Sequence, residues 1–113
     1  MVTKDMLRRA PKVELHDHLD GGLRPSTIID LAGEYGLDLP ASEPEELASW
    51  LHRGASRKNL GLYLEGFSLT TAVMRTKDAI ERVAREAIED LAADGVVYAE
   101  IRFAPILHVR DDL

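Results

Sequence analysis

No cysteine occurs in the 113 residues, which excludes a disulfide framework and any thiolate metal site. Metal chemistry here would have to use imidazole and carboxylate ligands. Long apolar runs are missing too: no stretch approaches the ~20 consecutive apolar residues that a membrane span needs, so no membrane partner is expected. Basic residues are in deficit, 14 against 20 acidic ones for a net charge of -6. They are scattered along the chain instead of clustered on a phosphate-binding patch, which argues against nucleic acid as a partner. The opening M-V-T-K-D-M-L-R-R-A-P-K is charged throughout and lacks the apolar centre of a secretory signal, so the expected location is cytoplasmic. What is present, 45% hydrophobic and 30% charged residues, suits a soluble domain with a core.

The pattern along the chain alternates between strand and helix signals. Thr3 to Arg9 predicts a short helix closed off by Pro11, and Val13 to His18 predicts a strand running into the turn-forming Asp20-Gly21-Gly22. Pro25 suits a first helical position, and Ile28, Ile29, Leu31, Ala32 and Tyr35 make an apolar face that stops at Gly36. A second helix is expected at S-E-P-E, with Ser42 as cap, Glu45 completing a capping box, and Leu47, Trp50 and Leu51 buried. The polar R-G-A-S-R-K-N then reads as a loop, and Leu60, Leu64, Phe67, Thr71 and Met74 follow one helical stripe. Thr76 caps the clearest helix, with Ile80, Val83, Ala84, Ala87, Ile88 and Leu91 at helical spacing and Asp94-Gly95 at its end.

V-V-Y-A-E-I-R-F-A-P is rich in β-branched and aromatic residues, which makes a second strand ended by Pro105. Strand, helices, strand with so long a crossover predicts a parallel α/β arrangement. Two parallel strands make no stable sheet alone, so the chain reads as the beginning of a larger assembly. A barrel of eight strand–helix units takes ~250 residues, of which residues 1–113 would be the first quarter to third, one incomplete domain.

V-E-L-H-D-H-L-D-G-G places two histidines at alternate positions of the first strand. Residues i and i+2 point to one side, so Glu14, His16 and His18 share a face opposite Val13, Leu15 and Asp17. Two readings are open: a hydrogen-bonded pair at a strand end, or half of a zinc site, since two imidazoles on one rigid strand can reach the same ion. Position favours the second, because active sites of parallel barrels collect at the carboxyl ends of their strands.

The stretch P-K-V-E-L-H-D-H-L-D-G-G-L-R-P, residues 11–25, resembles the opening motif of the adenosine deaminase family of metal-dependent amidohydrolases. D-G-V-V-Y-A-E-I-R-F-A-P, residues 94–105, resembles that family's second strand. The resemblance covers the whole chain as the amino-terminal portion of a (β/α)8 barrel. It implies hydrolytic deamination of adenosine and deoxyadenosine to inosine-type products and ammonia, in purine salvage. It implies one Zn2+ per complete site, with His16 and His18 as two ligands and His18 also beside the substrate. The family's other ligands and its proton-carrying glutamate have no match in this chain. No catalytic acid or base is therefore assigned within residues 1–113, which alone are expected to be inactive. His52 reads as a helix-end residue and His108 as a loop residue, neither assigned to metal. The cytidine-type zinc route with its C-x-x-C is excluded by the absence of cysteine.

Asp20 reads on its own as a turn former before two glycines. The resemblance implies that it accepts a hydrogen bond from the nucleoside 5′-hydroxyl, where adenine deaminases of the family often carry glutamate. Leu60, Tyr63, Leu64 and Phe67 correspond to the apolar helix flanking the family's substrate pocket, although core residues would look the same. Glu100 and Arg102 are expected to share the inner face of the second strand in an ion-pair network. Three readings stay open: part of an adenosine deaminase, part of an adenine or other purine deaminase, and a non-catalytic truncated module.

Overall fold

The computed structural model describes residues 1–56 and 60–109. A short helix α1 (Lys4–Arg9) leads into strand β1 (Lys12–His18). Helices α2 (Pro25–Tyr35), α3 (Pro44–Ser56), α4 (Leu60–Val73) and α5 (Lys77–Ala93) follow before strand β2 (Val96–Arg102). The strands pair in parallel, with Val13 opposite Tyr98, Glu14 opposite Ala99 and His18 opposite Arg102, and the register is irregular between Glu14 and Asp17. This is the α/β crossover that the pattern predicts. No described helix is long and apolar enough to cross a membrane.

The helix boundaries follow local chemistry. The Thr3 hydroxyl accepts from Met6 N at 3.2 Å and caps α1, and the Thr76 hydroxyl accepts from Ala79 N at 3.1 Å to cap α5. Gly36 ends α2 with φ 64°, a left-handed conformation that glycine adopts without a side-chain clash. Gly95, at φ 81°, turns the chain into β2 so tightly that a Cβ there would lie 3.2 Å from the carbonyls of Arg8 and Ala10. The Gly95 carbonyl accepts from Lys12 N at 3.0 Å, tying the start of β1 to the start of β2.

Two expectations are corrected. Ser42 does not head α3: the first helical bond runs from Leu47 N to the Glu43 carbonyl, because Pro44 favours the first helical position and leaves Glu43 as cap. Arg53 to Ser56 belong to α3 and not to a loop, one glycine being a modest penalty in a helix anchored by fully buried Leu47; residues 57–59 of the expected loop lie outside the described residues. Glu100 and Arg102 are exposed on the two-stranded sheet and take no ion pair among the described residues, Glu100 accepting from the Tyr98 hydroxyl at 2.9 Å; their expected pairing belongs to the interior of a closed barrel.

The core lies among the helices and the turn after β1, not on the sheet. Leu19, Leu23, Ile28, Leu31, Leu47, Val73, Met74 and Val83 are buried in it, each worth roughly 1.5–3 kcal/mol of transfer free energy when fully buried. Val13, Leu15, Val97 and Tyr98 on the strands are all more than half exposed. The expected stripe divides: Met74 is buried and Phe67 and Thr71 are half-buried, whereas Leu60 is 72% exposed and Leu64 43%, and Thr70 and Val73 face inward instead.

An ion-pair network fastens α2 to α5. Arg24 grips Asp90 with a two-pronged contact, Nε to Oδ2 at 2.9 Å and a terminal nitrogen to Oδ1 at 2.7 Å. Arg82 joins Glu86 at 2.9 Å and Asp30 at 2.8 Å, and the Thr27 hydroxyl donates to Glu86. Hydrogen bonds from Arg24 hold the Asp90 carboxyl below its ordinary range, against burial. Burial pushes Glu86 upward, but the Thr27 hydroxyl and Arg82 outweigh it and the net direction is down.

Carboxyls lowered in the folded state stabilise it above their unfolded pKa of about 4, and that contribution is lost as pH falls through the folded values. In a complete enzyme that contains this segment, thermal unfolding should therefore show a Tm that is level down to about pH 5 and declines at lower pH, and Arg24→Ala should flatten the decline. An unchanged acid limb in Arg24→Ala would contradict this role.

Candidate functional site

β1 delivers His16 and His18 at its carboxyl end, both exposed. The rings converge, with centroids 5.1 Å apart and a 32° tilt, and their Nε2 atoms are separated by 3.1 Å. That gap admits a hydrogen shared between the rings. It equally admits one cation held by both: with metal–nitrogen bonds of about 2.0–2.1 Å, a 3.1 Å separation subtends about 100° at the ion, close to tetrahedral. Neutral imidazole is a common zinc donor, so the donor set fits a half-site. Among the described residues no cluster of three or more His, Cys, Asp or Glu completes a metal group.

Directly after His18 the chain enters a single 3-10 turn, Leu19–Gly21, that carries Asp20 fully into the interior. A buried carboxylate needs partners. The Oδ2 oxygen accepts from the Ala104 backbone N–H at 3.1 Å, and the Asp20 carbonyl accepts from the Thr70 hydroxyl. Oδ1 lies 3.9 Å from His18 Nδ1 and has no hydrogen-bond partner among the described residues. The carboxylate thus has one oxygen tied to the segment after β2 and one, Oδ1, buried without a hydrogen bond beside His18.

His108, read from sequence as a plain loop residue, is buried and its Nε2 faces Asp20 Oδ2 at 3.6 Å. The only sequence signal for it was indirect, namely that a buried Asp20 would need donors from elsewhere. His52 sits exposed within α3.

A groove of about 260 Å³ is lined by Gly21, Leu51, Tyr63, Gly66, Phe67 and Thr70, the first being the residue after Asp20. It contains Tyr63 and Phe67 of the four apolar residues expected at a pocket, while Leu60 and Leu64 are not part of its lining. Gly66 allows α4 close to α3, since a Cβ there would meet Leu51 at 3.2 Å.

A family model described as adenosine deaminase matches residues 11–113. The adenosine deaminase of Mycobacterium marinum is 58% identical over 114 residues, which cover all of this chain and 32% of that protein. The chain thus spans about a third of that relative's length. Among solved structures, adenine deaminase from Arthrobacter aurescens superposes with TM-score 0.71 at 34% identity, over 87% of this chain and 29% of that one. The N6-methyl-AMP deaminase from Arabidopsis thaliana gives TM-score 0.65 at 31% identity, over 94% and 29%. The two strands and their helices correspond to the amino-terminal portion of the (β/α)8 barrel of these enzymes. The chain belongs to the adenosine deaminase family.

Proposed function

We propose that residues 1–113 are the amino-terminal part of a single domain that carries out zinc-dependent hydrolytic deamination of adenosine and deoxyadenosine, in cytoplasmic purine salvage. The observation that carries the reading is the convergence of His16 and His18, Nε2 to Nε2 at 3.1 Å, directly beside a buried carboxylate with one oxygen left without a hydrogen bond among the described residues. In this reading His16 and His18 hold the ion through Nε2. Zinc, when bound, lowers the pKa of its water so that hydroxide is available near neutral pH.

Asp20 accepts the nucleoside 5′-hydroxyl at Oδ1, which orients the sugar and sets the purine relative to the histidines. Tyr63 and Phe67 supply apolar surface to the groove next to Gly21 and exclude water there, with Leu60 and Leu64 extending that apolar helix toward the substrate. No described residue is placed to protonate the purine ring, so that proton and the remaining ligands are assigned to the part of the family's barrel not represented here.

A second reading, deamination of adenine or another purine, is favoured by the Arthrobacter aurescens adenine deaminase at TM-score 0.71. Asp20 separates the two readings, since a free base has no 5′-hydroxyl to bind. The test uses a complete enzyme, made by exchanging residues 1–113 for the matching segment of the Mycobacterium marinum adenosine deaminase. Asp20→Ala should weaken adenosine turnover by ~1.5–3 kcal/mol, the worth of one hydrogen bond to a charged acceptor, and leave 5′-deoxyadenosine nearly unaffected. Equal losses on both nucleosides would sink the sugar assignment, and adenine turned over faster than adenosine by the parent would favour the base deaminase.

A further inference from the structure

We infer that His108 is the positioning residue of Asp20, gripping the rear oxygen of the carboxylate so that the front oxygen stays aimed at the substrate. The inference rests on the reading of Asp20 as the sugar-binding group and adds a residue that neither the histidine motif nor the apolar helix contains.

The case is geometric. A carboxylate turns easily about its last side-chain torsion, which is broad and roughly two-fold. Presenting one particular oxygen to a hydroxyl therefore requires that the other be held. Ala104 N–H contacts Oδ2 at 3.1 Å, and His108 Nε2 faces the same oxygen at 3.6 Å. Neither touches Oδ1.

His108 is itself held in place. Its Nδ1 lies 3.2 Å from the Met74 carbonyl, which only accepts, so a hydrogen sits on Nδ1 and Nε2 is turned to Asp20. The ring rests against Phe103 at 5.7 Å between centroids, and the residue is 6% exposed. Nε2 has no hydrogen-bond partner among the described residues and faces Asp20 Oδ2, so the bond to that oxygen is the proposed contact, made with hydrogen on both ring nitrogens. A movement of less than about 1 Å would then bring Nε2 to the 2.7–2.9 Å of a charge-assisted bond. Ala104 and His108 both lie in the segment directly after β2, so the exit of the second strand is placed to fix the carboxylate at the exit of the first.

In the complete chimera, His108→Ala should raise KM for adenosine roughly tenfold, the lower end of what one charged hydrogen bond supplies, with kcat within about twofold. KM for 5′-deoxyadenosine should stay unchanged. Dissociation constants of inosine and 5′-deoxyinosine, which need no turnover, should split in the same way. His108→Gln, which keeps an amide donor, should recover most of the loss.

If Asp20→Ala discriminates between the two nucleosides while both His108 variants affect them equally or not at all, the positioning role is wrong and the sugar assignment stands. An Asp20→Ala that treats the nucleosides alike removes both. Loss of cooperative unfolding in both His108 variants, with Asp20→Ala still folded, would make His108 a core residue and overturn the inference.

Discussion

The double variant His16→Ala, His18→Ala of the complete chimera is expected to lose its stoichiometric zinc and to lower adenosine turnover by several orders of magnitude. Water has a pKa of 15.7, and zinc in a catalytic site brings it to about 7, so hydroxide near neutral pH depends on the metal. Catalytic zinc is held by about three protein ligands, and removing two leaves no site of useful affinity. Metal analysis of the purified variant decides the matter directly. A double variant with one zinc per chain and unaltered turnover would show that the 3.1 Å approach of the rings is a hydrogen bond and nothing more. Each single variant should retain measurable metal at raised zinc concentration, because one imidazole remains to combine with ligands from the rest of the barrel.

Residues 1–113 expressed alone should neither form inosine nor bind zinc more tightly than the micromolar range. Two imidazoles are half of a site, and no described residues add a third or fourth donor. Packing points the same way. Val13, Leu15, Val97 and Tyr98 leave the sheet uncovered, and exposed apolar strands with open edges favour association over a cooperative monomer. Isothermal titration with zinc and sedimentation of the isolated chain test both statements. Nanomolar zinc binding by a monomer would mean that these residues build a complete site of their own.

The elements that sequence reveals are those whose ends are written locally. The Thr76 cap, the left-handed Gly36 and Pro25 at a helix start each act within a few residues, and α2 and α5 fall where those signals put them. The extension of α3 through Gly54 was hidden because its reason, fully buried Leu47 at the other end, outweighs a polar tail that reads as loop. Leu60 and Leu64 share a stripe with core residues by periodicity, yet periodicity cannot say which surface an apolar stripe will meet, and both are exposed.

At the site, the pairing of His16 with His18 follows from strand geometry two residues apart. The roles of Thr70, Ala104 and His108 did not, since each meets Asp20 across 50 or more residues of chain.

The bond from Ala104 N–H to Asp20 joins groups 84 residues apart, and Ala104 is placed only once β2 has docked beside β1. Closing so long a loop is entropically expensive and comes late relative to local structure. The same docking sets the histidine pair, because β1 is held as a strand by β2 from Lys12 through His18. Both parts of the site therefore mature in one late step, so a chain stalled before the two strands meet would hold its helices without either half of the site.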